Sequence, residues 1–367
     1  MVERPFIPQA APALRIARYR AEVDAAIAAM LEGPSYILGP AVEAFESSFA
    51  RYIGVRHGVG VSSGTEALLL ILRALDIGPG DEVITTALTA AGTAQAILLC
   101  GATPRFADVD PVSRCLDPGA VEAAVNPRTA AILPVHLYGF PADMMRLSEI
   151  ASKNGLALVE DCAQAHGTEI AGRRAGSFGQ AAAFSFYPTK NLGAAGDAGA
   201  AVCNDPALAE KLRRLRNLGW DENRVSHFAA GNARLDEIQA AILLALLPHL
   251  DEGNAERRAI AAQYRNRLQQ PGLGLPADAA GAIYHQFAIT YDRRDDLRAF
   301  LAANGIGTAI HYDPPLHLQP AFTGTRAGAL PVTEGLSKTL VSLPVQPEIA
   351  AGQTDHIAGL VVRGLSP

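Results

Sequence analysis

Leu156-Ala157-Leu158-Val159-Glu160-Asp161-Cys162-Ala163-Gln164-Ala165-His166 runs from an unbroken apolar stretch straight into a polar one. Four apolar residues without alternation fit a strand buried on both faces. Such strands occur in mostly parallel sheets covered by helices on either side. Six more short runs rich in Val, Ile, Phe or Ala lie at 57–62, 82–86, 103–109, 130–136, 182–186 and 200–203. Segments of helical period separate them. The fold class read here is α/β, with a mostly parallel seven-stranded sheet and helices on both faces. The strand signal stops near Leu247.

Helix ends sharpen the picture. Asp205-Pro206 sets a capping acid before a proline at the first helical turn, with Gly219 beyond the far end. Helical character returns at Leu235 and continues towards Gln270, with Pro248 inside it. Proline lacks the backbone donor and collides with the preceding turn, so a kink or break is expected there. This places a domain hinge, with 1–247 as a large domain and 248–367 as a smaller α+β domain.

The chain has 367 residues, 49% of them apolar and 19% charged, which suits a globular protein of two domains. A net charge of −6 without basic clusters argues against nucleic acid as a partner. The longest apolar run, 240–247, is too short to cross a bilayer. No apolar core of signal type follows Glu3-Arg4-Pro5, so a cytoplasmic protein is expected. The four cysteines (Cys100, Cys115, Cys162, Cys203) are scattered, as reduced thiols would be. They show no metal-binding spacing, and the histidines lack HExxH spacing, so no metal is expected. Most histidines read as surface or supporting residues.

The polar tail of the opening stretch carries the chemistry. Asp161 stands at the C-terminal end of its strand, the edge where open α/β sheets bind ligands. About thirty residues on, Ser185-Phe186-Tyr187-Pro188-Thr189-Lys190-Asn191 leaves another strand through a polar loop. A lone loop lysine is usually a solvated one. Paired with a strand-end acid, it reads as a pyridoxal phosphate (PLP) site. Lys190 would bind the cofactor as a Schiff base, and Asp161 would keep the pyridine nitrogen protonated. For that the lysine needs a lowered pKa. Gln164, three residues past Asp161, is a candidate for the ring oxygen. Ser62-Ser63-Gly64-Thr65-Glu66 opens a helix after a strand. Helix-start N–H groups suit an anion, so Gly64, Thr65 and Glu66 are cofactor-binding candidates, with Ser185 a second phosphate ligand. The glycine-rich stretch 193–199 either passes beside the cofactor or simply turns into the next strand.

Together these pieces resemble the DegT/StrS-type PLP-dependent sugar aminotransferases, within fold type I PLP enzymes. The resemblance also rests on Gly39-Pro40, Phe45-Glu46, 80–84 (GDEVI), His136-Leu137-Tyr138-Gly139, 231–237 (GNARLDE), His311-Tyr312 and Ser342-Leu343-Pro344. It implies Lys190 as the Schiff-base lysine, Asp161 as the pyridinium partner, Gln164 on the ring oxygen, and Thr65 and Ser185 on the phosphate. It implies that Asn232 reaches the phosphate of a neighbouring subunit, hence a homodimer with shared active sites. The implied reaction moves an amino group, from L-glutamate, to a nucleotide-linked keto-sugar. Where many members carry an aromatic ring over the cofactor, this chain has Ala90; either Leu88 covers the ring instead or the pocket has a different shape.

Ala90 together with His311-Tyr312 resembles members acting at carbon 3 of a dTDP-linked 6-deoxy-keto-hexose, with His311 and Tyr312 as substrate contacts. A 4-keto sugar or a keto-cyclitol is the alternative acceptor. A non-catalytic PLP-binding regulator is a further alternative, against which the full set of acid, lysine and phosphate ligands argues. The dehydrating branch of the family has histidine in place of the lysine, and Lys190 argues against it.

Overall fold

The computed structural model describes residues 6–365. Seven five- or four-residue strands form the main sheet. In spatial order they are His57–Val61, Gly199–Cys203, Ala181–Ser185, Ala157–Asp161, Thr129–Ile132, Glu82–Thr86 and Thr103–Ala107. Gly199–Cys203 runs antiparallel to both neighbours, and the other pairs are parallel. All seven expected strands are present. The run at 130–136 leaves the ladder at Ile132, because Pro134 has no N–H to give, and Val135 regains only an isolated bridge to Asp161. An eighth strand was not expected: Arg326–Ala327 returns from the C-terminal part and pairs with Thr103–Ala107 at the sheet edge.

Helices pack on both faces and leave separate apolar layers. On one face Phe45 and Phe49, from helix Pro40–Ile53, meet Phe184 and Phe186. The rings stand edge-on at 4.9–5.2 Å, an arrangement favoured by their quadrupoles. This cluster fixes the strand that leads to Lys190. Glu237 ties two distant motifs on the same side. Its carboxylate accepts the N–H groups of Gly39, Ala41 and Val42, capping helix Pro40–Ile53.

The break expected at Pro248 is there. Helix Glu237–Leu246 passes through a 3-10 turn at Leu247–His249 into helix Leu250–Arg267. Asp205 caps helix Pro206–Leu215 by accepting from Ala207 N at 2.8 Å. Beyond residue 267 a three-stranded antiparallel sheet (Leu273–Gly274, Phe287–Tyr291, Leu340–Leu343) packs with helices Arg294–Ala303 and Thr354–Gly364. Among the described residues no helix is long and apolar enough to cross a membrane.

Candidate active site

The C-terminal ends of the parallel strands open onto a cavity of about 390 Å³. Asp161, Ser185 and Lys190 all line it, as do Gly64, Thr65, Ala90, His311 and Tyr312. Residues separated by up to 250 positions therefore converge where the sheet geometry puts ligands.

Asp161 is almost wholly buried. Its carboxylate accepts from Thr93 Oγ1 at 2.8 Å and from Ala163 N at 3.0 Å. Burial raises its pKa, opposed by those two donors and by the positive charge of Lys190. Burial does the opposite to Lys190, pushing its amine down to about 8, while Asp161 pulls it back up. The pair thus carries a lysine that is readily neutral and a carboxylate held in place by fixed donors.

Helix Gly64–Ala74 begins beside them, with Ser63 Oγ accepting from Glu66 N. A side chain on Gly64 would place its Cβ 2.7 Å from the Ser185 Cβ. Only glycine lets the helix start sit this close to the strand end. Such a helix start, with the Thr65 hydroxyl and Ser185 beside it, is a cradle suited to an anion. Asp197 and Ala198 line the cavity too, so the glycine-rich stretch does pass beside it.

Other candidates stand further back. Gln164 is buried: its Oε1 accepts from Tyr138 N at 2.7 Å, and its Nε2 donates to Tyr312 Oη at 2.9 Å. It therefore meets the cavity through Tyr312, whose phenol burial pushes up to about 12. Tyr138 Oη donates to the His311 carbonyl, fixing the His311-Tyr312 loop. His311 Nδ1 pairs with Ser342 Oγ, and burial with the nearby Lys190 charge lowers its pKa to about 4. Glu66 and Asn232 are not among the cavity-lining residues, and Asn232 is exposed. Leu88 does not line the cavity either. It is fully buried in the core, so it cannot serve as a cover. The wall at this position is the small Ala90.

Sequence reasoning missed Thr93, His285 and Gln286, all of which line the cavity. His285 is buried, not a surface residue, and its Nδ1 pairs with Asn191 Oδ1 at 2.9 Å. His136 and His166 are also fully buried. His136, Glu160 and Cys162 lie within 4.8 Å of one another. The imidazole and the carboxylate are spent internally: His136 Nδ1 accepts from Ala142 N, leaving Nε2–H for Glu160. Glu160 also takes the N–H groups of Gly176, Phe178 and Gly179. The trio is a structural brace beneath Asp161.

The profile of the DegT/DnrJ/EryC1/StrS aminotransferase family matches residues 18–362. The chain belongs to that family. Among its relatives is dTDP-3-amino-3,4,6-trideoxy-alpha-D-glucose transaminase of Streptomyces venezuelae, 49% identical over 93% of this chain and 92% of that protein. Another is UDP-N-acetyl-3-dehydro-alpha-D-glucosamine 3-aminotransferase of Acidithiobacillus ferrooxidans, 45% identical over the full length of both. The crystal structure of S. venezuelae DesV in complex with a ketimine intermediate superposes with a TM-score of 0.96, at 46% identity over 99% of this chain and all of that one.

The aminotransferase therefore has the type I fold, and PLP is its cofactor. The residues present fit that group. A buried carboxylate held by two donors suits a protonated ring nitrogen, the Gly64 cradle suits a phosphate, and Lys190 is depressed enough to react as an amine.

Proposed function

We propose that this aminotransferase moves an amino group from L-glutamate to carbon 3 of a nucleotide-linked keto-sugar, a dTDP-linked 3-keto-6-deoxyhexose. The observation that carries the chemistry is the pairing of a readily neutral Lys190 with the buried Asp161 in one cavity. In this reading PLP, when bound, supplies an electron sink for charge developing at the reacting carbon. Lys190 Nζ is its covalent anchor and carries the proton between carbons. Asp161 keeps the ring nitrogen protonated by charge, and Thr93 holds that carboxylate in place. Gly64, Thr65 and Ser185 take the phosphate, and Gln164 takes the ring oxygen. His311 and Tyr312 meet the sugar. We place 1–247 and 248–367 as the large and small domains, in the cytoplasm.

Carbon 3 is supported by the small Ala90 on the wall and by relatives whose names carry the amino group at that carbon. A UDP-linked 3-keto sugar is the second reading, favoured by the full-length relative of A. ferrooxidans.

The proposed assembly is a homodimer with shared sites. Among the described residues Lys190 is the one cation lining the cavity, since burial keeps His285 and His311 neutral. Two anionic groups must enter, the cofactor phosphate and the donor carboxylate. Further donors from a second copy would complete the charge balance, Asn232 among them. Exposed Tyr36, Ile37, Phe228 and Ile238 lie on the chain segments that run with Asn232, which supports an interface there.

The test is to load the enzyme with PLP and glutamate, then offer matched 3-keto and 4-keto dTDP-sugars, with UDP counterparts, and compare kcat/KM by product mass. A preference for the 4-keto compound, or turnover only with a keto-cyclitol, rejects the carbon assignment.

A further inference from the structure

A second, smaller cavity lies on the other side of the loop that bears Lys190. Arg15, Asn191, Asn254, Arg257 and Glu348 line it. Its volume is about 30 Å³, room for a water or a small ion. Two guanidiniums meet there, on side chains only 9% (Arg15) and 5% (Arg257) exposed.

Neither cation is bonded to a carboxylate among the described residues. Arg15 spends its terminal nitrogens on four backbone carbonyls, those of Pro188, Lys190, Asn191 and Gly193. Its Nε is buried without a partner. Arg257 has only two long contacts, to the carbonyls of Tyr284 and His285 at 3.5 and 3.4 Å. Among the described residues no carboxylate makes an ion pair with either one. Glu348 acts on both, and Glu256 on Arg257, from a distance without bonding to them. The other cation at the cavity is already matched, Arg18 pairing with Glu252 and Glu256, while His249 is bonded to Glu22.

Two like charges, each largely withdrawn from water beside one small cavity, are costly unless an opposite charge joins them. The Arg257 pKa records the strain, falling to about 10 through burial first and the Arg15 charge second. Water can fill the space but supplies no charge. We infer that this cavity is a binding site for a small inorganic monoanion of chloride size, held between the guanidiniums of Arg15 and Arg257. The anion lies against the residue that grips the Lys190 loop by four carbonyls, so its binding stiffens that loop from behind. The site is separate from the phosphate cradle, which opens on the opposite side of the loop.

The experiment uses the holoenzyme. Crystals soaked in bromide should show an anomalous peak between the two guanidiniums. In solution, chloride should raise the melting temperature saturably against gluconate at equal ionic strength, because gluconate is too large for the cavity. Arg257→Met should abolish that difference, and Glu348→Gln should preserve or strengthen it. The inference is overturned by no bromide at the site, by equal melting in both salts, or by a chloride effect that survives Arg257→Met. It is also overturned if halide binds only after Glu348→Gln, since the Glu348 carboxylate would then be the native counter-charge. Should Arg257→Met fail to fold, the bromide peak in the wild-type crystal decides alone.

Discussion

Replacing Lys190 by methionine should make the cofactor-free protein more stable. A lysine ordinarily titrates near 10.5, and Lys190 does so at about 8 because burial disfavours its charge. At about 1.4 kcal/mol per tenfold, holding the ammonium inside the fold costs roughly 3 kcal/mol. Two effects reduce what the variant recovers. Lys190 is partly open to the cavity, and Asp161 loses its counter-charge in the variant. A net gain of about 1–2 kcal/mol is expected near neutral pH.

The sign with pH is the sharper part. The folded state prefers the neutral amine, so the unfolded chain binds more protons between pH 8 and 10.5, and wild-type stability rises through that window. The penalty is complete below about 8 and gone above 10.5. The gap between variant and wild type should therefore be widest near neutral pH and close as pH rises. Urea unfolding at one fixed protein concentration, with PLP removed from both proteins, measures it. A gap that stays constant with pH, or a variant less stable than wild type at neutral pH, refutes the argument that burial disfavours the charged form of Lys190.

Three further expectations concern the same cavity. Asp161→Asn should retain PLP but slow single-turnover amino transfer at least a hundredfold, by about 3 kcal/mol, since an amide cannot hold the ring proton by charge; near-normal rates would contradict its role. Thr93→Val should weaken PLP binding about tenfold, the worth of a hydrogen bond to a charged group, with equilibrium titration as the measure; unchanged affinity would show that the Thr93 bond does not matter. Mixing Lys190→Ala with Asn232→Ala protein should restore activity to as much as a quarter of wild type, because half the dimers are hybrids and each hybrid keeps one intact site; silence in hybrids shown to have formed would count against shared sites.

The strands were legible because burial on both faces writes itself locally, as four apolar residues before Glu160 and Asp161 do. Asp161 and Lys190 followed from them, since each sits at or just beyond a strand end on the ligand edge. The strand Arg326–Ala327 was not legible: two residues carry no period, and its place depends on the sheet edge waiting beside Thr103–Ala107. Thr93 looks like any threonine in the apolar helix Ala91–Leu99 until the fold turns it towards a carboxylate 68 positions away. Leu88 was misjudged, and His285 missed, for the same reason. Which face a residue shows is set by its neighbours in space.

Arg15 makes this limit concrete. In sequence it is one basic residue of a short helix, Pro12–Arg18, and nothing nearby explains it. In the fold it lies beneath a loop 175 positions away and donates to the carbonyl of Lys190 itself. A side chain on Gly193 would come within 2.4 Å of its guanidinium, so the glycine there leaves room for the grip. Lys190 is thus held from two sides, each with its own electrostatics. Asp161 acts across the cavity and stabilises charge on the amine, while Arg15 acts through the backbone and fixes where that amine can reach. Motif reading detects the first, because one partner ends a strand and the other follows one closely, and misses the second, because a carbonyl is the same in every residue.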